Sequence, residues 1–386
     1  MTPAAREAAA IEILDRWRAG RPVEAALTHW ARASRFAGSG DREAVRDLVF
    51  NAVRRFRSSA MLGGGESGRA LLLGLHRADG MFPSDWTGER HAPLPPDAAE
   101  ADRIGAPLPA MARGIARDCP DWLLPLFDAA LGDDTDAVLD RMRDRAPVFL
   151  RVNRARTTRE AAAAALSLDG IGTRPHPLAD TALEVTSNAR RLRQAAPLVD
   201  GRVELQDAAS QAVALSFARC ARGPVLDFCA GGGGKALALA AEGLDVTAHD
   251  ADPRRMADLP ARAGRAGARI AVLDGAPAGL WAAILADAPC SGSGSWRRAP
   301  EAKWALTAAR LAELTRIQDS ILDRCASLTA PGGVLGYATC SMLRDENEAR
   351  VDAFLARHPG WTRRDERRLS PLDGGDGFYL AVLCNT

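Results

Sequence analysis

Asp227-Phe228-Cys229-Ala230-Gly231-Gly232-Gly233-Gly234-Lys235 ends a short apolar run, Val225 to Phe228, and passes straight into an alanine- and leucine-rich segment. An apolar strand, a glycine turn and a helix in direct succession form the opening unit of an α/β sheet, because glycines let the backbone approach a ligand at a helix N-terminus. A phosphate-binding P-loop is excluded by spacing: it would need glycine where Cys229 stands and a hydroxyl where Ala236 stands.

Downstream the alternation continues. Apolar runs Val246 to Ala248, Ile270 to Leu273, Ala283 to Leu285 and Val334 to Tyr337 are separated by helical stretches, the signature of a doubly wound parallel sheet. Phe378 to Leu383 follows the turn Asp373-Gly374-Gly375-Asp376-Gly377 with no helix after it, so it is expected as an antiparallel edge strand. Successive strands end in Asp227, Asp250, Asp274, Asp287-Ala288-Pro289-Cys290 and Thr339-Cys340-Ser341. Each places an acid or a thiol at the carboxyl edge, where open α/β sheets bind ligands. Asp250 stands where such folds bond a cofactor ribose, although the acid could instead cap the segment starting at Pro253, a role that suits Asp252 better. Glycines alone leave a nicotinamide site open. Asp227 and the lack of any further dinucleotide fingerprint favour S-adenosylmethionine (SAM), and no hydride-transfer acid or base stands out among the six histidines.

Upstream, 386 residues exceed what one core usually supports, so several domains are expected. Residues 1–140 read as a helical domain, with Ile11, Leu14 and Trp17 on one stripe and Val45, Leu48, Val49, Ala52, Val53 and Phe56 on another. Glycine and proline thicken from Gly63 to Pro109, which reads as long loops or a linker. Residues 141–205 read as a small basic α/β module, with alternating Val148, Leu150 and Val152 leading into an alanine-rich helix. Residues 206–386 hold the parallel sheet.

A composition 47% hydrophobic and 26% charged suits a globular protein, and no run approaches the roughly 18 apolar residues of a membrane span. A cytoplasmic monomer is the expectation. Seven scattered cysteines form no C-x-x-C pair, so neither a disulfide framework nor a metal site is indicated. Burial as a small hydrophobe accounts for Cys119, Cys220, Cys325 and Cys384; Cys290 and Cys340, at strand ends among small residues, are placed to meet substrate. Net charge is only +1, yet seven arginines fall between Arg141 and Glu160. Of 50 basic residues only Lys235 and Lys303 are lysine, and both lie in motif-dense segments where a compact ammonium differs from a guanidinium.

Together these residues carry a resemblance. Asp227 to Lys235, Asp287-Ala288-Pro289-Cys290-Ser291-Gly292-Ser293-Gly294, and Thr339-Cys340-Ser341 with Glu346-Asn347-Glu348 resemble the three signature segments of the Sun (Fmu) family of RNA cytosine-C5 methyltransferases. Arg151-Val152-Asn153, Gln206-Asp207, Lys303-Trp304 and Asp376-Gly377-Phe378 extend the likeness, which covers about Cys119 to Leu383. Gly231-Gly232 stands where alanine-proline is usual and Ala236 where threonine is usual. More loosely, the N-terminal helices resemble the NusB-like domain fused to the small-subunit rRNA enzymes of that family.

The resemblance implies a Rossmann-like SAM-dependent methyltransferase domain, preceded by a small α/β RNA-recognition module and an all-α NusB-like domain. It implies cofactor contacts from Cys229, Ala230, Gly231, Gly232, Gly233, Gly234, Lys235, Asp250, Asp274 and Asp287. Cys340 is the implied nucleophile and Cys290 the residue assisting product release, with Asp287 against the base and Lys303 positioning base or loop. Residue types alone do not rank the two cysteines, since DNA cytosine methyltransferases use a proline-cysteine like Pro289-Cys290. The implied substrate is single-stranded or looped RNA, above all 16S rRNA, gripped by Arg141, Arg143, Arg145, Arg151, Arg154 and Arg156. The same chemistry on tRNA or large-subunit rRNA, or a catalytically silent assembly factor, remain the alternatives.

Overall fold

The computed structural model describes every residue from Met1 to Thr386. It divides into two compact units: Met1–Arg145 with Trp296–Ala305, and Ala146–Ser295 with Leu306–Thr386.

The first unit is helical: α1 (Pro3–Arg18), α2 (Val23–Ala33), α3 (Ser39–Arg54), α4 (Phe56–Gly63), α5 (Gly68–Ala78), α6 (Ala98–Gly105), α7 (Arg113–Ala116), α8 (Leu124–Leu131) and α9 (Thr135–Arg141). Proline in the first turn and the Thr2 hydroxyl, which accepts from the Ala5 amide, start α1, and its Ile13, Leu14 and Trp17 are buried. The stretch expected as loops from Gly63 to Pro109 instead holds the end of α4, all of α5 and α6. Two of its glycines serve packing and not turning. A Cβ on Gly63 would lie 1.8 Å from the Ala70 carbonyl oxygen, and one on Gly74 would lie 1.9 Å from that of Ser59. Helices α4 and α5 thus touch backbone to backbone, a contact that composition alone confuses with a loop signal.

The second unit carries two sheets. A small antiparallel sheet comprises β1 (Val148–Val152), β2 (Thr173–Pro175), β3 (Ala182–Val185) and β4 (Val203–Leu205) in the order β2-β3-β1-β4, with α10 (Arg159–Leu168) and the short α11 (Ala196–Val199) between its strands. Alternation along β1 sends Leu150 and Val152 into a core with Ala162 and Leu166 of α10. It sends Phe149 and Arg151 the other way, Phe149 into the core of the large sheet and Arg151 onto Gln206.

The large sheet has the order β10-β11-β9-β8-β5-β6-β7. Five strands are parallel: β5 (Val225–Asp227), β6 (Val246–Ala248), β7 (Ile270–Val272), β8 (Trp281–Asp287) and β9 (Thr329–Thr339). Alternating residues feed a core on each face. Val225, Ala283 and Leu285 pack with Val213 and Phe217 of α12 (Ala208–Cys220) and Leu237 of α13 (Gly234–Ala241), beside Leu259 of α14 (Leu259–Ala266). Leaving this unit at Ser295, the chain forms α15 (Glu301–Ala305) within the helical unit and returns at Leu306. On the opposite face, Leu226, Ile284 and Ala286 pack with Leu322 of α16 (Ala308–Leu328) and Phe354 of α17 (Glu348–Arg357).

Antiparallel β11 (Phe378–Asn385) joins beside β9 as the sequence indicates, but it is no edge. Outside it lies β10 (Trp361–Leu369), paired along its whole length. Thr362-Arg363-Arg364-Asp365-Glu366-Arg367-Arg368 conceals this strand because it lacks apolar alternation; charged side chains on a sheet edge discourage pairing with other chains. After β5 the chain steps outward to β6 and β7, then returns to place β8 on the other side of β5. That reversal opens a crevice at the carboxyl ends of β5 and β8, where Asp227 and Asp287 stand.

Candidate active site

Asp287 closes β8, and the first turn of α13 delivers Lys235 to it, with Nζ 2.6 Å from Oδ2. Lys235 is buried, and its ammonium also sits 4.9 Å from the centroid of the Phe378 ring. Burial opposes its charge, but the Asp287 carboxylate prevails and raises the pKa above the ordinary lysine value. Beside the pair, Asp227 has no exposed surface, and neither of its oxygens meets a partner at hydrogen-bond geometry. Burial, reinforced by the Asp287 charge, pushes its carboxyl up to about 7; Lys235 and the Ala236 amide pull the other way.

Two loops bring the thiols together. Cys290, three residues beyond Asp287, and Cys340, the residue after β9, have their Sγ atoms 3.4 Å apart. The loops are zipped by backbone bonds from the Gly294 amide to the Cys340 carbonyl and from the Gly377 amide to the Gly294 carbonyl, each 2.9 Å. Only glycine fits at 294, since a Cβ would fall 2.1 Å from the Gly377 carbonyl oxygen. The thiols are not equivalent. The hydrogen bond shared with Cys290 lowers the pKa of Cys340 against the cost of burial and the nearby Asp287 charge, helped by Lys235 and by Ser295, whose Oγ lies 4.0 Å from Sγ. For Cys290 the same hydrogen bond, burial and the charge of Glu346 push the pKa well up. Neighbouring groups driven apart in this way are suited to opposite proton-transfer roles.

The glycine loop adjoins this centre. Asp250, beyond β6, is nearly buried; Oδ2 accepts from the Gly231 amide at 2.8 Å and from Arg255, and Oδ1 from the Asp252 amide. The cap for the segment beginning at Pro253 is Asp252, whose carboxylate accepts from the Arg254 amide, which frees Asp250 from the structural alternative. Ala230 is held by its amide on the His249 carbonyl, and Cys229, its thiol pKa raised by burial, stays protonated. Asp274 follows β7 and is exposed. A buried carboxylate without a partner, next to a helix N-terminus and a second acid, fits a ligand bearing both positive charge and ribose hydroxyls, as SAM does.

Lys303 lies inside the helical unit, where Nζ donates to the Arg54 carbonyl at 3.3 Å and sits 4.4 Å from the Trp304 ring; burial pushes its pKa down to about 8. The arginines expected to grip RNA also divide. Arg151 is buried, its Nε on Gln206, because it occupies the inward face of β1, and burial brings its pKa down to about 10. Arg143 pairs with buried Asp118, Arg145 with Asp47 and Arg141 with Asp144. Arg154, 3.7 Å from Glu242, and Arg156, donating to the Arg265 carbonyl, remain at the surface. Arg190, Arg191 and Arg193 form a further exposed basic turn, less visible in composition than the run of arginines at 141–160. Glu346, Ser291 and Ser341 were legible only as parts of motifs; nothing in residue type alone announces that a buried acid joins two loops.

Comparison with known proteins follows the geometry. Residues 215–383 match the family model described as 16S rRNA methyltransferase RsmB/F, and residues 119–190 match the ferredoxin-like domain of RsmF/B-like methyltransferases. Ribosomal RNA small subunit methyltransferase B of Salmonella arizonae is 33% identical over 288 residues, covering 68% of this chain and 66% of that protein. The protein of the same name from Xylella fastidiosa strain 9a5c is 35% identical over 286 residues, covering 68% of each. The match therefore spans about two thirds of the length of these relatives. A solved structure titled PH0851 shares the fold over 99% of both chains, with a TM-score of 0.77 at 19% identity. No helix is long and apolar enough to cross a membrane.

Proposed function

Because the chain belongs to the RsmB/F family of 16S rRNA methyltransferases, we propose that it methylates C5 of a cytosine in 16S rRNA, using SAM and the thiolate of Cys340. The observation that carries this reading is the thiol pair 3.4 Å apart beside the Lys235–Asp287 ion pair. C5 of cytosine is a weak nucleophile, and a thiolate added at C6 makes it electron-rich, so a nucleophilic cysteine is needed.

Cys340 adds through Sγ to C6, and the C5=C6 electron pair shifts toward C5. The substrate base lies with its N3/N4 edge on Asp287, whose carboxylate accepts from the N4 amino group and orients the ring, while the Lys235 ammonium offsets the negative charge developing in it. Lys235 holds Asp287 in place and keeps the Cys340 thiolate charged. The loop from Cys229 to Lys235, with Asp250, Asp274 and Asp287, would hold SAM, which supplies the methyl group. Once Cys340 is bonded to carbon it carries no charge, so the repulsion that kept Cys290 protonated disappears. Cys290 then releases its own proton to water, and the resulting thiolate accepts the proton leaving C5; the C5–H pair restores C5=C6, and the C6–S pair returns to Cys340. The target base must leave its stack, so an unpaired or looped segment is the substrate. Arg154 and Arg156 supply phosphate contacts that hold the RNA without reading its sequence.

Transfer of labelled methyl from SAM to unmodified 16S rRNA tests this. Wild type is expected to label cytosine C5, Cys340→Ala to be inert, and Cys290→Ala to accumulate a covalent protein–RNA adduct. Labelling of tRNA or 23S rRNA in place of 16S would overturn the substrate alone. Absence of SAM binding would favour a silent assembly factor.

A further inference from the structure

We propose that Glu346 is a positioning residue that latches the two cysteine loops together and decides which of the two thiols carries the negative charge. Glu346 has no exposed surface. One carboxylate oxygen accepts from the Ser291 amide at 2.8 Å and from Gln318 Nε2 at 3.1 Å; the other accepts from the hydroxyls of Ser291 and Ser341, each at 2.5 Å. Ser291 follows Cys290 and Ser341 follows Cys340, so one carboxylate bridges the residues adjoining both thiols. Ser293 extends the bridge, its hydroxyl 3.0 Å from that of Ser341 and accepting from the Met342 amide. Asn347 secures the same turn by accepting from Thr339 and donating to the Ser341 carbonyl.

Four donors on one carboxylate offset much of its burial cost. Two of its bonds go to Ser291, next to Cys290, and one to Ser341, next to Cys340. The groups acting on the thiols come from every element around them: Lys235 from α13, Asp287 from β8 and Ser295 from the loop bear on Cys340. Glu346 bears on Cys290, and Tyr337 of β9 donates its hydroxyl to the Glu346 backbone carbonyl. The Lys235–Asp287 ion pair acting on one sulfur and the Glu346 carboxylate acting on the other bias an otherwise symmetric pair. Glu346 touches no reacting atom.

The proposal rests on Cys340 being the nucleophile, and its test reads thiol chemistry in the full chain without RNA or SAM, so a failed methylation assay leaves it interpretable. Brief substoichiometric iodoacetamide labelling across a pH series, resolved by peptide mass spectrometry, gives the labelling rate of each cysteine. Wild type is expected to label Cys340 about tenfold or more faster than Cys290 near neutral pH, since one pKa unit is tenfold in thiolate fraction. In Glu346→Gln, nearly isosteric but uncharged, that ratio is expected to fall at least about threefold, with the Cys290 profile moving to lower pH. Glu346→Asp, which restores the charge, is expected to recover the preference. A folded Glu346→Gln protein with the wild-type ratio and profile overturns the proposal. Should Glu346→Gln not fold, Ser341→Ala removes one donor and leaves the charge less neutralised; the ratio is then expected to rise, and an unchanged or lower ratio overturns the proposal.

Discussion

The Sγ atoms of Cys290 and Cys340 are 3.4 Å apart, across two loops that begin at the ends of neighbouring parallel strands. A disulfide needs the sulfurs at about 2.05 Å with Cβ atoms about 3.8 Å apart, a small closure from this arrangement. Diamide is expected to join Cys290 to Cys340 and abolish methyl transfer, and dithiothreitol to restore it. Intact mass and peptide mapping check the link. Failure of diamide to couple these two cysteines in the folded protein would show that the loops hold the sulfurs apart.

Lys235 is the counter-charge for buried Asp227 and partly exposed Asp287. Lys235→Met leaves both without it, and solvent access at Asp287 puts the cost toward the lower end of the roughly 3–5 kcal/mol typical of breaking a buried pair. A lower melting temperature at pH 7 is expected, with methyl transfer reduced by about a hundredfold or more as Cys340 loses its cation. Lys235→Arg is not expected to rescue, since a planar guanidinium does not fit where the ammonium is enclosed. Wild-type turnover in either variant would remove Lys235 from the mechanism.

Asp227 gives a pH signature in the cofactor-free protein. Its folded-state pKa, about 7, lies above the ordinary 3.8, so the folded protein binds the extra proton between these values. The unfolded chain releases that proton first, and stability falls as pH rises from about 4 to about 7, levelling above. Asp227→Asn is therefore expected to melt at a higher temperature than wild type at pH 8, with the gap closing toward pH 4, while binding SAM more weakly. Differential scanning fluorimetry at both pH values and calorimetry with SAM measure the two effects; equal melting at every pH would show that the carboxylate is not held in its buried, unpaired state.

Arginines within a few residues of each other are expected to behave oppositely. Arg151→Ala removes a buried hydrogen bond to Gln206 and should cost about 1–3 kcal/mol of stability, with little change in RNA affinity once folded. Arg154→Ala and Arg156→Ala should leave the melting temperature nearly unchanged and lower both RNA affinity and its salt dependence. Filter binding over a salt series beside thermal melts separates the classes, and an unaltered salt slope in the Arg154/Arg156 double variant would exclude them from the RNA contact.

Gly74→Ala tests the close helix pair. A Cβ there would lie 1.9 Å from the Ser59 carbonyl oxygen, so α4 and α5 must separate. Overpacking of this kind typically costs about 1–3 kcal/mol, and a clear drop in melting temperature is expected despite alanine's better helix propensity. A rise would mean that the helices have room to yield.

Much of the catalytic unit was determined by sequence alone. The strand positions from Val225 onward, the glycine loop and the acids and thiols at strand ends are local features, set by alternation of apolar residues and by turn chemistry within a few residues of each other. What lay beyond the sequence is long-range. Charged β10 pairs only because β11 offers it an edge, and Gly63 and Gly74 pack helices because their neighbours come within contact distance. Arg151 turns inward on a strand whose other face is already filled by α10. Lys303, in the helix next after the Cys290 loop, folds into a different unit altogether. Residue type named Cys290 and Cys340 without ranking them. Only the tertiary structure brings their sulfurs to 3.4 Å and gives each its own charged surroundings, because Coulomb interactions depend on distances that chain order does not fix.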